Sequence, residues 1–417
     1  MKHFFVKFLI SLFALFPLLL LAQEKKQMVL IKRTDTINKR LNKDTVIVRK
    51  SVEQKDVVDL YYLLAKKHPA AGNDSITSKP SFTIIPAVGY TLQSNLVGTI
   101  SGNAAFHLNK AKISTITASA AYSQKKQFTM PIESSIWTKG NKFNLIGDFR
   151  FYKYPQSSFG LGSNSSIKDE DQMDYSYFRF YEIVLTHITG NLFGGIGYIF
   201  DHHWDIDEKG LPNGKLSDYY NYGTASQTIS SGITLNGLYD RRDNPINPTK
   251  GVYSNVQYRT SFIAFGSTTN WQSVIIDLRK YFQFPGSSEN VLALWSYNWL
   301  IVKGKPPYLD LPSTSWDSYS STGRGYIQGR FRGAQMVDAE SEYRFRITRN
   351  GLIGGVAFAN AETFSAAPGT PLERVQPGYG AGLRIKLNKV SKTNISIDYG
   401  FGNQHSKGLF INIGELF

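Results

Sequence analysis

The sequence predicts an all-β protein: a 16-stranded antiparallel transmembrane β-barrel behind a short N-terminal periplasmic segment. Three observations predict it. Apolar and polar residues alternate at period two from residue 81 onward, the connections between these runs alternate between short and long, and the number of runs is even. Of 417 residues, 41% are hydrophobic, 14% aromatic and 19% charged, with no cysteine and a net charge of +15. Beyond the extreme N-terminus no apolar run is long enough for a helical span, which excludes a polytopic helical membrane protein. The aromatic content excludes a disordered basic tail. Without cysteine there is no disulfide framework, thiolate metal site or cysteine nucleophile.

Residues 1–22 read as a signal peptide. Lys2 and Lys7 form a basic n-region, Phe8 to Leu21 is almost wholly apolar, and Ala22 is the small residue at the cleavage point. Export argues against nucleic acid as the partner, whatever the charge. Residues 23–80 form a basic segment of different character. Thr45 to Val48 suits a short strand. Between Asp56 and Lys67, Val57, Leu60, Tyr61 and Leu64 recur at helical spacing, with Asp56 as N-cap. The segment ends in the loop composition of residues 69–74, and one helix buries too little surface to be a domain.

Residues 81–417 form the barrel. In Phe143–Tyr152 the apolar face is Phe143, Leu145, Phe149 and Phe151, against Asn144, Asp148, Arg150 and Tyr152. In Ser273–Tyr281, Val274, Ile276 and Leu278 oppose Asp277, Arg279 and Tyr281. Asp338, Glu340, Glu342, Arg344 and Arg346 share one face, as do Asn394, Ser396 and Asp398. Sixteen strands are expected at 81–90, 95–107, 112–124, 127–138, 141–153, 174–188, 190–203, 226–240, 250–263, 268–284, 289–303, 336–347, 350–361, 377–388, 391–402 and 406–417. The long connections at 154–173, 202–225, 303–335 and 362–376 fall on one parity and hence at one end of the sheet. Short periplasmic turns, long external loops, an apolar outside and a polar lumen are the pattern of a bacterial outer-membrane barrel. An even strand count puts both of its ends on the periplasmic side, and closure spares the hydrocarbon an unpaired edge. Pro86 cannot donate to a ladder and suits an edge. Trp137, Tyr152, Tyr239, Trp271 and Phe417, near strand ends, suit interfacial girdles.

Three motifs follow one another in this frame. Asp240, Arg242, Asp243, Asn244, Pro245, Asn247, Pro248 and Gly251 make a turn with two Asn-Pro steps, rigid because proline presets φ and Asp and Asn side chains cap the turns they open. The longest loop carries Gly323-Arg324-Gly325-Tyr326. The last run, with Ile411, Ile413 and Gly414, ends on the aromatic Phe417. Together, over residues 81–417, these resemble the BamA/TamA superfamily of outer-membrane assembly factors and transporters, the bacterial surface antigen barrel. The resemblance implies a periplasmic rim turn, a loop that folds back into the barrel, and a C-terminal targeting strand. It implies further that Arg324 pairs with lumenal carboxylates, and by the alternation Glu342 is the partner. Asn360 stands where the family has a second carboxylate; it accepts a hydrogen bond but forms no ion pair. Residues 23–80 are shorter than one POTRA domain and lack its pattern, so the chain resembles the branch without POTRA domains.

No enzyme is expected, since no nucleophile elbow occurs and His107 and His187 have no evident nucleophile beside them. His202-His203-Trp204-Asp205-Ile206-Asp207 and Lys168-Asp169-Glu170-Asp171 read as polar external loops rather than metal sites, so neither metal nor cofactor is expected. The expected partners are outer-membrane lipids and lipopolysaccharide, with outer-membrane protein clients or an envelope partner reached through residues 23–80, and no nucleic acid. Three functions follow as expectations: insertion, translocation or remodelling of outer-membrane proteins or lipids through a seam between the first and last strands; a gated transport pore for a small or extended substrate; or an accessory subunit of an envelope complex.

Overall fold

The computed structural model describes residues 54–57, 59–60, 80–91, 94–109, 111–286, 288–318 and 320–417. The signal peptide, the strand at 45–48 and the helix beyond Leu60 lie outside the described residues. Strands follow in chain order as β1 Ser81–Thr91, β2 Asn95–His107, β3 Ile113–Ser123, β4 Phe128–Trp137, β5 Phe143–Lys153, β6 Gln156–Ser158, β7 Asp171–Thr189, β8 Leu192–Glu208 and β9 Gln227–Asp240. They continue as β10 Gly251–Ser261, β11 Trp271–Gln283, β12 Val291–Gly304, β13 Gln335–Arg346, β14 Ile353–Ser365, β15 Gln376–Asn388, β16 Thr393–Gly402 and β17 Lys407–Ile413. Consecutive strands pair antiparallel, and the three-residue β6 continues β5 along the same edge of β7. The result is a nearly closed barrel of 16 antiparallel staves.

Period two decides which face each residue takes. Along β13, Met336, Asp338, Glu340, Glu342 and Arg344 are buried inside. On the other surface Phe82, Ile84, Val88, Ile100, Ile196 and Leu235 stand well exposed, the apolar band a bilayer requires. Trp137, Tyr152, Trp271 and Phe417 correct the girdle assignment. All four are buried, Trp137, Tyr152 and Trp271 because their parity turns them inward and Phe417 because the chain bends at Gly414, whereas Tyr239 faces out.

Two long strands and the end of the chain also depart from expectation. β7 and β8 outlast the predicted runs, so His202–Asp207 belong to a strand and not to a loop. There His203 is buried and stacks on Tyr177, with 4.4 Å between ring centroids. Asp205, at φ +52°, and the register shift between Asp174 and Ser176 interrupt the period-two alternation there, so the sequence loses the pattern that marks a strand. β17 ends at Ile413 rather than running to 417. Gly414 takes φ +103°, and residues 415–417 turn inward, with Leu416, Phe417 and the Glu415 side chain buried.

At the short-turn end, Asp56 caps a turn of helix: its Oδ1 accepts from Asp59 N (2.9 Å) and Asp59 Oδ2 accepts from Asp56 N (3.0 Å). The same residues meet the β15–β16 turn, where Lys389 N donates to Asp56 Oδ2 (2.9 Å) and Lys389 Nζ pairs with Asp59 (2.9 Å).

Candidate functional site

Residues 305–334, between β12 and β13, are held as a short hairpin inside the lumen. Ser313 and Arg332 form a bridge, and Thr314 N donates to Phe331 O (3.0 Å). At the tip Asp317 Oδ1 accepts from Ser321 N (3.0 Å), Thr322 N (2.9 Å) and Thr322 Oγ1 (2.9 Å), the capping chemistry that bends a chain back on itself. This bend delivers Arg324. Gly323 and Gly325 on either side have φ +68° and +111°. A Cβ at Gly325 would lie 2.5 Å from the Phe401 carbonyl oxygen, so the loop backbone rests directly on β16.

Arg324 is fully buried. Its Nη1 donates to Asp398 Oδ2 on β16 (2.6 Å), and its Nη2 contacts Glu342 Oε2 on β13 (2.5 Å) and Glu340 Oε1. The guanidinium carbon sits 3.7 Å from the Phe358 ring centroid. Asn360 Nδ2 donates to the Arg324 carbonyl (2.8 Å), so this side chain grips the loop backbone rather than the guanidinium. Tyr326 donates its hydroxyl to Pro377 O (2.6 Å) and accepts from Asn403 N (2.8 Å). Four neighbouring strands, β13 to β16, therefore hold one loop.

The carboxylates have further partners. Glu342 Oε1 accepts from Arg344 Nε (2.6 Å) and lies 3.5 Å from Arg384 Nη2; Asp398 accepts from Arg384 Nη1 (2.5 Å). Glu340 differs: among the described residues Arg324 is its one cationic partner, and its second oxygen has no hydrogen bond. Arg384 Nε also binds Glu415 (2.7 Å), and Arg344 Nη2 donates to Phe417 O (3.0 Å). Sequence reasoning named Arg324, Glu342 and Asn360 but missed Glu340, Asp398, Arg344, Arg384 and Glu415. Alternation had set Glu340, Arg344 and Asp398 on polar faces; the curvature that brings β16 opposite β13 carries no sequence signal.

Higher in the loop, Asp310 accepts from Ser230 Oγ (2.6 Å) and faces His203 Nδ1 at 3.6 Å. Burial, reinforced by the negative charge of Asp201, pushes the Asp310 carboxyl up to about 7 against the pull of Arg259. Other lumenal arginines are matched rather than free: Arg179 and Arg259 share Asp201 (3.2 and 2.7 Å), and Arg150 pairs with Asp148 (2.7 Å). Among the described residues no group of three His, Asp or Glu is placed to hold a metal ion.

The turn between β9 and β10 is a separate structure at the opposite, short-turn end. Arg242 forks onto Asp240 (3.0 and 2.9 Å) and lies over the Tyr253 ring (4.4 Å). Asp243 accepts from Thr249 N, Thr249 Oγ1 and Lys250 N (2.8, 2.7 and 3.1 Å). Asn244 Oδ1 accepts from Ile246 N and Asn247 N (both 2.8 Å), and Asn247 Nδ2 reaches Lys392 O (3.3 Å). Pro245 and Pro248 break the intervening backbone, and Gly251, at φ +118°, restarts the strand. No contact joins this turn to the Arg324 cluster among the described residues.

The Omp85 superfamily domain matches residues 107–417, three quarters of the chain. The chain belongs to the Omp85 superfamily. Among solved structures, BamA from Haemophilus ducreyi lacking POTRA domains 1–3 is similar over 80% of this chain and 69% of its own, at 13% identity and a TM-score of 0.50. CdiB from Escherichia coli is similar over 80% of this chain and 61% of its own, at 11% identity and a TM-score of 0.51. The chain thus spans less than two thirds of the length of that CdiB. No curated protein sequence matches it. As an Omp85 barrel it is an integral outer-membrane protein and non-enzymatic.

Proposed function

We propose that this Omp85 barrel assists insertion, translocation or remodelling of outer-membrane proteins or lipids through a lateral seam between β1 and β17, with the Arg324 loop holding the resting state. One observation carries this reading. Every other pair of neighbouring staves shares an antiparallel ladder, whereas β1 and β17 adjoin with no ladder pair among the described residues. An unpaired edge in hydrocarbon is costly, so a weak seam is the place where an extended client or a lipid finds unmet hydrogen-bonding groups. Pro86, which has no N–H to offer, sits on this edge strand. In this reading the short turns, the rim turn and both barrel ends face the periplasm, and lipids with lipopolysaccharide surround the apolar band. The contact of Asp56 and Asp59 with Lys389 supports the short-turn end as the place where an envelope partner or client, reached through residues 23–80, would be met.

The test is a cysteine pair across β1 and β17, in a background free of other cysteines. Cells that depend on this protein should lose normal outer-membrane protein or lipid composition when the pair is oxidised and regain it on reduction. Full function with a quantitatively locked seam would refute the proposal. A second reading, a gated transport pore, draws on the loop's occupation of the lumen. Deletion of residues 311–333 that raises planar-bilayer conductance, while seam locking leaves membrane composition unchanged, would favour it.

A further inference from the structure

The inward turn of residues 414–417 has no part in building a barrel wall. Continued straight from β17, these four residues would add about 13 Å of strand along the edge of β1 that has no ladder. They cross the lumen floor instead. Gly414 N still bonds Asn394 O (2.8 Å) and Ser396 Oγ donates to Gly414 O (3.1 Å), so the departure begins at Gly414 itself. Glu415 is buried with Arg384 Nε at 2.7 Å, Arg344 Nε at 3.6 Å and Asn394 Nδ2 at 2.5 Å. The Phe417 ring stacks on Trp295 with centroids 5.0 Å apart, and its carbonyl accepts from Arg344. Ser321, three residues before Arg324, donates its hydroxyl to Leu416 O (3.2 Å).

We propose that residues 415–417 are a strap that fastens the seam strand β17 to the Arg324 loop, so that withdrawal of the loop and re-extension of β17 along β1 are one coupled event. The coupling runs through shared groups. Arg384 holds Asp398, which binds Arg324, and also holds Glu415. Arg344 holds Glu342, which binds Arg324, and also holds Phe417 O. Releasing either partner exposes the arginines the other depends on, and linkage makes the effect reciprocal. The proposal rests on the seam reading above, because re-extension matters only where β1 offers an open edge.

The readout is independent of clients. Arg324, Arg330 and Arg332 are buried, so trypsin cleaves there only after the loop is released. A Cβ on Gly414 meets nothing within 4 Å, so Gly414→Val penalises the left-handed turn and little else. In the full chain refolded in detergent, with heat-modifiability confirming a folded barrel, Gly414→Val should speed cleavage at these sites at least tenfold. Glu415→Gln should speed it by a smaller factor. In the reverse direction, Arg324→Ala should raise maleimide labelling of Leu416→Cys at least tenfold. A folded Gly414→Val barrel with wild-type protection, or labelling at 416 indifferent to Arg324→Ala, would overturn the strap. Either result leaves the seam reading standing, since the cysteine lock in cells tests that reading separately.

Discussion

Arg324→Ala strands one carboxylate above the others. Asp398 keeps Arg384, and Glu342 keeps Arg344 and Arg384, but Glu340 is left buried with no cation among the described residues. A buried charge without a partner takes up a proton rather than stay ionised. Breaking a buried ion pair by removing one member costs roughly 3–5 kcal/mol. The ratio of seated to released loop should therefore fall by roughly three orders of magnitude at pH 7. Trypsin cleavage at Arg330 and Arg332 in the folded barrel measures it. Adding Glu340→Gln should recover most of the loss, and adding Glu342→Gln should not, because that change leaves Glu340 without a cation and takes a carboxylate from Arg344 and Arg384 as well. Equal rescue by the two would refute the assignment of Glu340 as the stranded group.

Gly325→Val places a β-branched side chain at φ +111° and against the Phe401 carbonyl, so strain of about 1–3 kcal/mol should release the loop roughly 10- to 100-fold more often, read by the same cleavage assay. Asp310 titrates near 7, above its value in a released loop, so the seated state holds a proton that the released state gives up; its contribution is complete below about pH 4 and is lost as pH rises through 7. Cleavage, normalised to a free peptide, should rise from pH 5 to 8 in the wild type, and Asp310→Asn should flatten that rise. Asp243→Ala removes three accepted hydrogen bonds from the exposed β9–β10 turn, and should lower barrel stability by about 1–2 kcal/mol in urea titrations while leaving loop cleavage unchanged.

Much of this molecule is legible along the chain, and the boundary of legibility is physical. Alternation at period two carries the strands, their faces and the barrel, because each residue's side is decided by its own parity. It put Asp338, Glu340 and Glu342 on one face and Asp398 with Asn394 and Ser396 on another, both buried in the lumen. The turn chemistry of Asp243 and Asn244 is equally local: every acceptor bond they make within the turn spans seven residues or fewer. The same reasoning failed where parity ceases to decide burial. His202–Asp207 continue a strand beyond the apolar band, and residues 415–417 leave the strand altogether; Trp137, Trp271 and Tyr152 instead obey their parity, which the girdle assignment had set aside for their place near strand ends.

What only the tertiary structure decided is which charges meet. Arg324 and Asp398 are 74 residues apart, and Ser321 and Leu416 are 95 apart; they touch because the wall curves and the loop descends into the space it encloses. Gly414 shows the division most simply. Its residue type permits a left-handed turn, but whether β17 runs on beside β1 or bends inward depends on Arg344, Arg384 and Trp295 waiting across the lumen. Local sequence determined the staves, their faces and the family. Long-range packing decided the clamp and the inward turn, because their energy lies in contacts whose partners have no common period.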